Sequence, residues 1–261
     1  GNDFIKFLGS SWLANKFYTR LTKSRKIKYI VLSDRMGRDM VSFYGLNEKE
    51  IEVDYSVAAG FVQNNLIRKY DTKDEVNNND KKVFKVGFMS NLIPGKGIFE
   101  VLNAMELLFH DNPKKWSFWV AGAKQKNIYY DKLDKMVQKG ICEYYPFIDG
   151  SEKIKLLEQT DIFLLPTYYP TEGLPLALLE AGYFGCFLIS CDAGDIGSII
   201  NCNTGTIIPD RSVSSIVNSV KVFIENDKFS KKRCHYFFKK KYSLNSYEAK
   251  IKKIIIPYGL T

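Results

Sequence analysis

Two glutamates bracket the segment EGLPLALLE, and their spacing is the part of the sequence most suited to chemistry. Glu172 and Glu180 lie eight residues apart, after the buried-strand pattern of residues 161–167 and around the start of a helical pattern. Eight helical residues make about two turns with roughly 80° of rotation, so both carboxylates can approach one ligand from different depths of a cleft. A helix start attracts an anion, whereas carboxylates accept hydrogen bonds from hydroxyls. The pattern predicts a ligand with sugar and phosphate groups.

The turn before this helix and a second glycine-containing loop indicate where the phosphate would bind. Gly173 precedes Pro175, and Pro175 is predicted as the first helical residue, where proline gives up no useful donor. The loop SNLIPGKGI at 90–98 follows the strand pattern FKVGFM and contains Lys96. Parallel strands would place Lys96 at the same edge of the sheet as the glutamates, as a phosphate contact. A PGKG turn alone is more often a surface loop, and its value here lies in its place at the same end of the sheet as EGLPLALLE.

The two glutamates also have an ordinary structural interpretation. Glu172 can be an acid favoured by the helix dipole, and Glu180 can be a solvated or paired residue. However, Glu180 lies within the apolar run LPLALLEAGYF, where an unpaired charge is costly. This position favours a functional role.

The composition is that of a globular protein with a basic charge. Lys and Arg number 38 against 29 Asp and Glu, and the net charge of +9 favours anionic partners. No nucleic-acid-binding signature accompanies the charge, so nucleic acid is not expected as a partner. The N-terminal stretch DFIKFLGSSWLANKFYTRLTKSRK mixes aromatic and cationic residues in the manner of an interfacial helix. An anionic membrane surface is therefore one expected partner, and a plain amphipathic helix packed on a sheet is the alternative.

Cysteine and histidine usage excludes several kinds of site. The five cysteines form no CxxC pair, which indicates reduced and mostly buried thiols in a cytosolic protein. With only two histidines, a histidine metal centre or a serine–histidine triad is not expected. No apolar run approaches the roughly 20 residues that cross a bilayer.

From residue 84 onwards, short apolar runs alternate with helical patterns. This alternation predicts an α/β fold with a doubly wound parallel sheet covered on both faces, whose ligand lies at the carboxyl ends of the strands. The predicted strands are 84–89, 116–122, 141–147, 161–167, 186–191 and 204–209. The predicted helices between them are 98–110, 128–140, 151–159 and 174–185, with two more in 212–241 and one at 244–256.

The segments MSNLIPGKGIFEVLNAM, WVAGA and DIFLLPTYYPTEGLPLALLEAGYFGCFLIS resemble the C-terminal half of glycosyltransferase family 4. Members are retaining enzymes of the GT-B fold, in which two Rossmann-like domains face each other across a cleft. The resemblance is close over residues 84–210, and VLSDRMGRDMVSFYGL resembles the end of the family's N-terminal domain more loosely. It implies transfer from a nucleotide-sugar donor to a glycan or lipid-linked acceptor in surface polysaccharide biosynthesis. The implied location is the cytoplasm, peripheral to the inner face of the membrane.

The resemblance implies a role for individual residues. Glu172 matches the glutamate beside the donor sugar, and Lys96 matches the lysine that neutralises the diphosphate; these two are the expected catalytic residues. Glu180 matches the glutamate that binds the ribose hydroxyls. Further donor-binding positions are the turn residues Gly173, Leu174 and Pro175, the pocket residue Gly122, the position Asn91, and Phe147, which with Pro146 and Ile148 meets the nucleobase.

Two departures from the family pattern are visible. An arginine usually stands five residues before the lysine, and this position is Asn91, so one diphosphate cation is missing. The glycine-rich loop and the acceptor-side histidine of the N-terminal domain have no counterpart. No DxD motif occurs, and neither a cofactor nor a divalent metal is expected: Lys96 and the helix start neutralise the leaving diphosphate. Glu172 is then expected to position groups rather than to act as a nucleophile.

The resemblance also divides the chain into parts. Residues 1–71 correspond to the end of an N-terminal, acceptor-side Rossmann-like domain, 72–83 to a linker or exposed loop, 84–243 to the nucleotide-sugar-binding domain, and 244–261 to a C-terminal helix packing back on the first domain. With half of the cleft missing, the chain is expected to bind donor but transfer sugar poorly. Two alternatives stay open: a catalytically silent nucleotide-sugar-binding module, and a sugar-nucleotide epimerase of the same fold.

Overall fold

The computed structural model describes most of the chain from residue 83 onwards and shorter pieces before it. The predicted N-terminal helix, the linker at 72–83 and the C-terminal helix lie almost entirely outside the described residues. The described residues are 20, 29–31, 34–46, 48–53, 83–170, 172–225, 229–242, 248–249 and 252–253.

Strands and helices alternate along these residues, as the sequence predicts. The strands are β1 (Tyr29–Val31), β2 (Ile51–Val53), β3 (Phe84–Met89), β4 (Trp116–Ala121), β5 (Cys142–Tyr145), β6 (Ile162–Leu165), β7 (Phe187–Cys191) and β8 (Gly205–Ile208). The α-helices are α1 (Asp34–Tyr44), α2 (Ile98–Asp111), α3 (Asp131–Gln138), α4 (Gly150–Gln159), α5 (Leu176–Tyr183), α6 (Val213–Glu225) and α7 (Lys231–Lys241).

Six of the strands form one parallel sheet, which confirms the predicted doubly wound α/β fold. Their order across the sheet is β5-β4-β3-β6-β7-β8, with every neighbouring pair parallel. The chain therefore builds outwards from β3 in one direction and from β6 in the other. The strand order reverses between β3 and β6, and at such a point the loops that follow the two strands diverge and open a crevice.

The strands are apolar throughout because both faces of the sheet are covered. All four residues of β6 are buried, as are five of the six residues of β4. Trp119 is the largest of the fully buried side chains. Its ring lies over Gly87, where a Cβ atom would come within 2.3 Å of it, and its Nε1 donates to Thr160 Oγ1 at 2.9 Å. The polar atom of the Trp119 indole is thus satisfied within the core.

The upstream strand–helix–strand pattern is also present. β1 and β2 pair in parallel as a two-stranded sheet, and α1 connects them. Within the part of the chain that the structure describes, no helix is both long and apolar enough to cross a membrane.

Candidate functional site

The loops that follow β3 and β6 are packed together at the point where the strand order reverses. The loop after β3 makes a 3-10 turn over Pro94–Lys96 and leaves it through Gly97, whose φ is +79°. A Cβ atom on Gly97 would lie 2.6 Å from the carbonyl oxygen of Pro166, in the loop after β6. Tyr168 N donates to the carbonyl oxygen of Gly95 at 2.9 Å. Glycine is therefore needed at position 97 for the backbone conformation and for the close approach of the two loops.

This packing brings together Lys96 and Glu172, the two residues predicted as catalytic. Lys96 Nζ lies 2.8 Å from Oε1 and 2.7 Å from Oε2 of Glu172. Thr167 Oγ1 donates to the same Oε2 at 2.5 Å. The pair is largely withdrawn from solvent, with 15% of the Lys96 side chain and 7% of the Glu172 side chain exposed. Removing either partner would leave an uncompensated charge, which is costly in such a place.

The backbone turn after Glu172 is held by a third loop, which follows β7. Asp195 N donates to the carbonyl oxygen of Gly173 at 3.1 Å. A Cβ atom on Gly194, whose φ is +55°, would lie 2.3 Å from the carbonyl oxygen of Glu172. From the N-terminal side, Arg35 Nη1 donates to the carbonyl oxygen of Gly194 at 2.8 Å. The turn is thus held by the loop after β7, and Arg35 holds that loop; the sequence did not single out these residues.

The helix after this turn begins one residue later than predicted. Pro175 has φ −66° and ψ 117°, an extended conformation, and α5 starts at Leu176. Pro175 is the residue before the helix rather than its first residue, and its carbonyl oxygen accepts the hydrogen bond of Leu178 N at 3.1 Å. The difference arises because proline's fixed φ suits both positions, and only ψ separates them. The first N–H groups of α5 have no partner within the helix and lie next to the Glu172 turn.

Glu180 lies in α5 and is paired with a lysine that the sequence analysis did not consider. Lys153 Nζ in α4 lies 2.8 Å from Glu180 Oε1, with 15% and 13% of the two side chains exposed. The charge inside the apolar run is therefore compensated. The structure does not bring Glu180 into contact with Glu172: each carboxylate has its own lysine.

Residues 69–242 match the family model described as "Glycosyl transferases group 1". The chain belongs to this family. A glycogen synthase from Mycoplasma mobile is 29% identical over 197 residues, covering 71% of this chain and 40% of that protein. A glycogen synthase from Mycobacterium tuberculosis is 24% identical over 139 residues, covering 53% of this chain and 33% of that protein. The chain thus spans well under half the length of both relatives.

A solved structure supports the fold. Anabaena Alr3699/HepE in complex with UDP superposes with a TM-score of 0.70 at 14% identity, covering 95% of this chain and 68% of that chain. The group 1 chain therefore has the predicted fold of GT-B type.

Three further predicted positions lie on the loops after β3, β4 and β5, at the same edge of the sheet. Asn91 is exposed, directly beyond β3. Gly122, with φ +139°, approaches Ser90 so closely that a Cβ atom would lie 1.8 Å from its carbonyl oxygen. Tyr144 OH donates to the Gly122 carbonyl oxygen at 3.0 Å, and burial raises the pKa of this phenol from its ordinary value of 10. The Phe147 side chain is 74% exposed.

The group 1 site contains residues that the sequence analysis missed: Thr167, Gly194, Arg35 and Lys153. Thr167 had a usable signal, since it is the second residue beyond β6, at the edge where parallel strands place their ligands. Lys153 and Arg35 had no such sequence signal. Each lies at an ordinary position of a helix, and the residue that it contacts is far away in the sequence.

Proposed function

We propose that this chain contains the donor-binding part of a retaining glycosyltransferase of family 4. It would move a sugar from a nucleotide-sugar donor to a glycan or lipid-linked acceptor in surface polysaccharide biosynthesis. Residues 84–243 would form the donor domain, and 1–71 together with 244–261 would belong to the acceptor side. The observation that carries this proposal is the contact of Lys96 with Glu172 where the strand order reverses, because a doubly wound sheet binds its ligand there.

Lys96 is suited to a diphosphate because a single carboxylate, that of Glu172, is its only ion-pair partner among the described residues. A diphosphate entering the crevice would share the ammonium with that carboxylate or replace it. Charge-assisted hydrogen bonds to phosphate are roughly twice as strong as neutral ones, and the first N–H groups of α5 would add to them. Lys96 would then neutralise the charge that develops on the leaving group.

Glu172 fits a positioning role better than that of a nucleophile. Both of its oxygens accept hydrogen bonds, from Lys96 and from Thr167, and these donors fix the orientation of the carboxylate and lower the nucleophilicity of its oxygens. In the proposed reaction the bond between the anomeric carbon and the diphosphate oxygen breaks as the acceptor hydroxyl arrives on the same face. The hydroxyl proton passes to the departing phosphate oxygen. No step requires a divalent metal or another cofactor.

Glu180 is the proposed partner of the ribose hydroxyls. Its Oε1 accepts from Lys153, which leaves Oε2 as an acceptor. Gly122, Phe147 and the turn Gly173, Leu174, Pro175 would complete the donor site. The HepE neighbour, which shares the fold, is in complex with UDP, so UDP is the first nucleotide to test.

Calorimetric titration with UDP-, GDP- and ADP-sugars tests the donor proposal. At least one donor should bind, and Glu180→Gln should weaken its nucleotide by about 1–3 kcal/mol, the usual cost of a lost charged hydrogen bond. Glu158→Gln, which changes an exposed glutamate of α4, is the matched control and should bind as the parent chain does. If none of the donors bound, the proposal would be wrong.

A catalytically silent binding module is the second candidate. It is favoured by Asn91, whose side chain brings no charge to the loop that Lys96 shares. A donor that binds but is not turned over with any glycan or lipid-linked acceptor would decide for it.

The membrane association is proposed on charge and acceptor chemistry. A net charge of +9 would hold the protein at an anionic inner leaflet, where a lipid-linked acceptor is found. Sedimentation with phosphatidylglycerol vesicles but not with phosphatidylcholine vesicles at low salt is the expected result.

A further inference from the structure

We propose that Lys153 is a positioning residue for nucleotide recognition: it holds Glu180 so that one carboxylate oxygen is presented to the ribose hydroxyls. The inference rests on the proposed donor site and extends it to a residue on a different helix. The charged groups concerned are the Lys153 ammonium in the first turns of α4 and the Glu180 carboxylate in α5.

The two carboxylate oxygens of Glu180 differ in their hydrogen-bond partners. Lys153 Nζ donates to Oε1 at 2.8 Å. For Oε2, no donor is found among the described residues. A carboxylate oxygen can accept more than one hydrogen bond, so Oε2 keeps its full capacity to bind hydroxyls while Oε1 fixes the side chain.

The burial of this pair separates it from an ordinary surface ion pair. Its side chains are 15% and 13% exposed, whereas those of Lys132 and Glu106, a pair between α3 and α2, are 34% and 35% exposed. Burying charged groups carries a desolvation cost that a surface pair avoids. A largely covered carboxylate whose second oxygen has no donor among the described residues therefore suits a ligand that supplies one.

Lys153 also connects two parts of the proposed donor site. Its backbone N donates to the carbonyl oxygen of Asp149 at 3.2 Å, and Asp149 is the residue before α4. The segment proposed to meet the nucleobase, Pro146 to Ile148, ends one residue before Asp149. Lys153 thus connects α4, the helix after the proposed nucleobase segment, to Glu180, the carboxylate proposed to bind the ribose. The nucleobase segment and Glu180 would therefore be positioned together.

The test compares ribose with deoxyribose nucleotides. Calorimetry would measure UDP, GDP and ADP, and then the 2′-deoxy and 3′-deoxy forms of whichever binds, with the parent chain, Lys153→Met, Lys153→Arg and the control Lys132→Met. The parent chain and Lys132→Met should lose about tenfold on removal of a hydroxyl, the equivalent of one charged hydrogen bond. Lys153→Met should discriminate less than about threefold, and Lys153→Arg should recover most of the discrimination because it can still pair with Glu180.

The outcomes separate this inference from the proposed function. If the parent chain bound no nucleotide, the proposed function would fall. If it bound and discriminated, but Lys153→Met discriminated equally, only the role of Lys153 would be wrong. If the parent chain bound ribose and deoxyribose forms alike, the ribose role of Glu180 would be wrong and the role of Lys153 with it. A loss of fold in Lys153→Met would appear in thermal unfolding, and Lys153→Arg would then decide. If Lys153→Arg distinguishes ribose from deoxyribose nucleotides as well as the parent chain does, the role of Lys153 is supported. If this folded, still cationic variant distinguishes them by less than threefold, the role is overturned.

Discussion

Lys96 Nζ lies within 2.8 Å of both carboxylate oxygens of Glu172, although 76 residues separate the two in the sequence. The lysine comes from the loop after β3 and the glutamate from the loop after β6, the two strands between which the order of the sheet reverses. The carboxylate thus pairs with the cation that the proposed diphosphate would need. Binding of that anion would exchange one negative partner of Lys96 for another.

Replacement of Lys96 by Met should weaken the binding of a nucleoside diphosphate far more than that of the corresponding nucleoside. A lost charge-assisted hydrogen bond costs about 1.5–3 kcal/mol, or roughly 10- to 150-fold in affinity, and only the diphosphate makes that bond. Lys132→Met, in the exposed pair with Glu106, should leave both affinities unchanged. Equal losses for nucleoside and diphosphate would mean that Lys96 acts through the shape of its loop.

Replacement of Asn91 by Arg should strengthen diphosphate binding. Position 91 is exposed, five residues before Lys96 on the same loop, and a guanidinium there can bind phosphate oxygens in a bidentate manner. We expect an increase in affinity of several-fold at low salt that declines as salt is raised, because screening weakens exposed charges. Asn91→Gln, which adds length without charge, is the control. An affinity unchanged by the arginine would place the diphosphate out of reach of this position.

Gly97→Ala should destabilise the fold more than Gly140→Ala. Both glycines have positive φ, +79° and +68°, but a Cβ atom would lie 2.6 Å from the Pro166 carbonyl oxygen at position 97 and would meet nothing within 4 Å at position 140. The left-handed conformation costs alanine about 1–2 kcal/mol, and the clash adds roughly 1–3 kcal/mol. Urea unfolding of both variants measures the difference. Equal losses of stability would show that the two loops can separate without cost.

The free energy of unfolding should fall on acidification through the titration of His235. Its imidazole is buried against the Tyr183 ring, with centroids 4.9 Å apart. Burial lowers its pKa from the ordinary 6.5 and outweighs the hydrogen bond to the Tyr183 carbonyl oxygen, which acts to raise it. The unfolded chain therefore binds a proton at higher pH than the folded chain does. The stability that the neutral, buried imidazole contributes is present above about pH 6.5 and is lost below it, by at most about 1.4 kcal/mol per pH unit.

Urea unfolding at pH 7.5 and pH 5.5 measures this dependence. His235→Gln should show a smaller difference between the two pH values than the parent chain. His110→Gln, at the exposed histidine of α2, controls for the loss of an imidazole. An unchanged difference in His235→Gln would assign the pH dependence to other groups.

The strands of the sheet could be predicted from the sequence because a strand buried on both faces is a continuous run of apolar residues. Runs such as Ile162–Leu165 are apolar at every position since both faces of the sheet are covered, and β3 occupies the predicted range 84–89. The same local patterns identified the two loops that hold Lys96 and Glu172. Only boundaries were displaced, as at Pro175, where fixed φ is compatible with the residue before a helix and with its first residue.

Which side chains meet was decided by the tertiary structure. The pairs Lys96–Glu172 and Lys153–Glu180 depend on β3 lying beside β6 and on α4 lying beside α5, and hydrophobic periodicity does not encode the order of strands. The same holds for Arg35 on the carbonyl oxygen of Gly194, a contact across 159 residues. The sequence by itself determined the class of fold and the loops that carry charge. The strand order determined that each glutamate is neutralised by its own lysine, because only the packed sheet brings those loops and helices within hydrogen-bond distance.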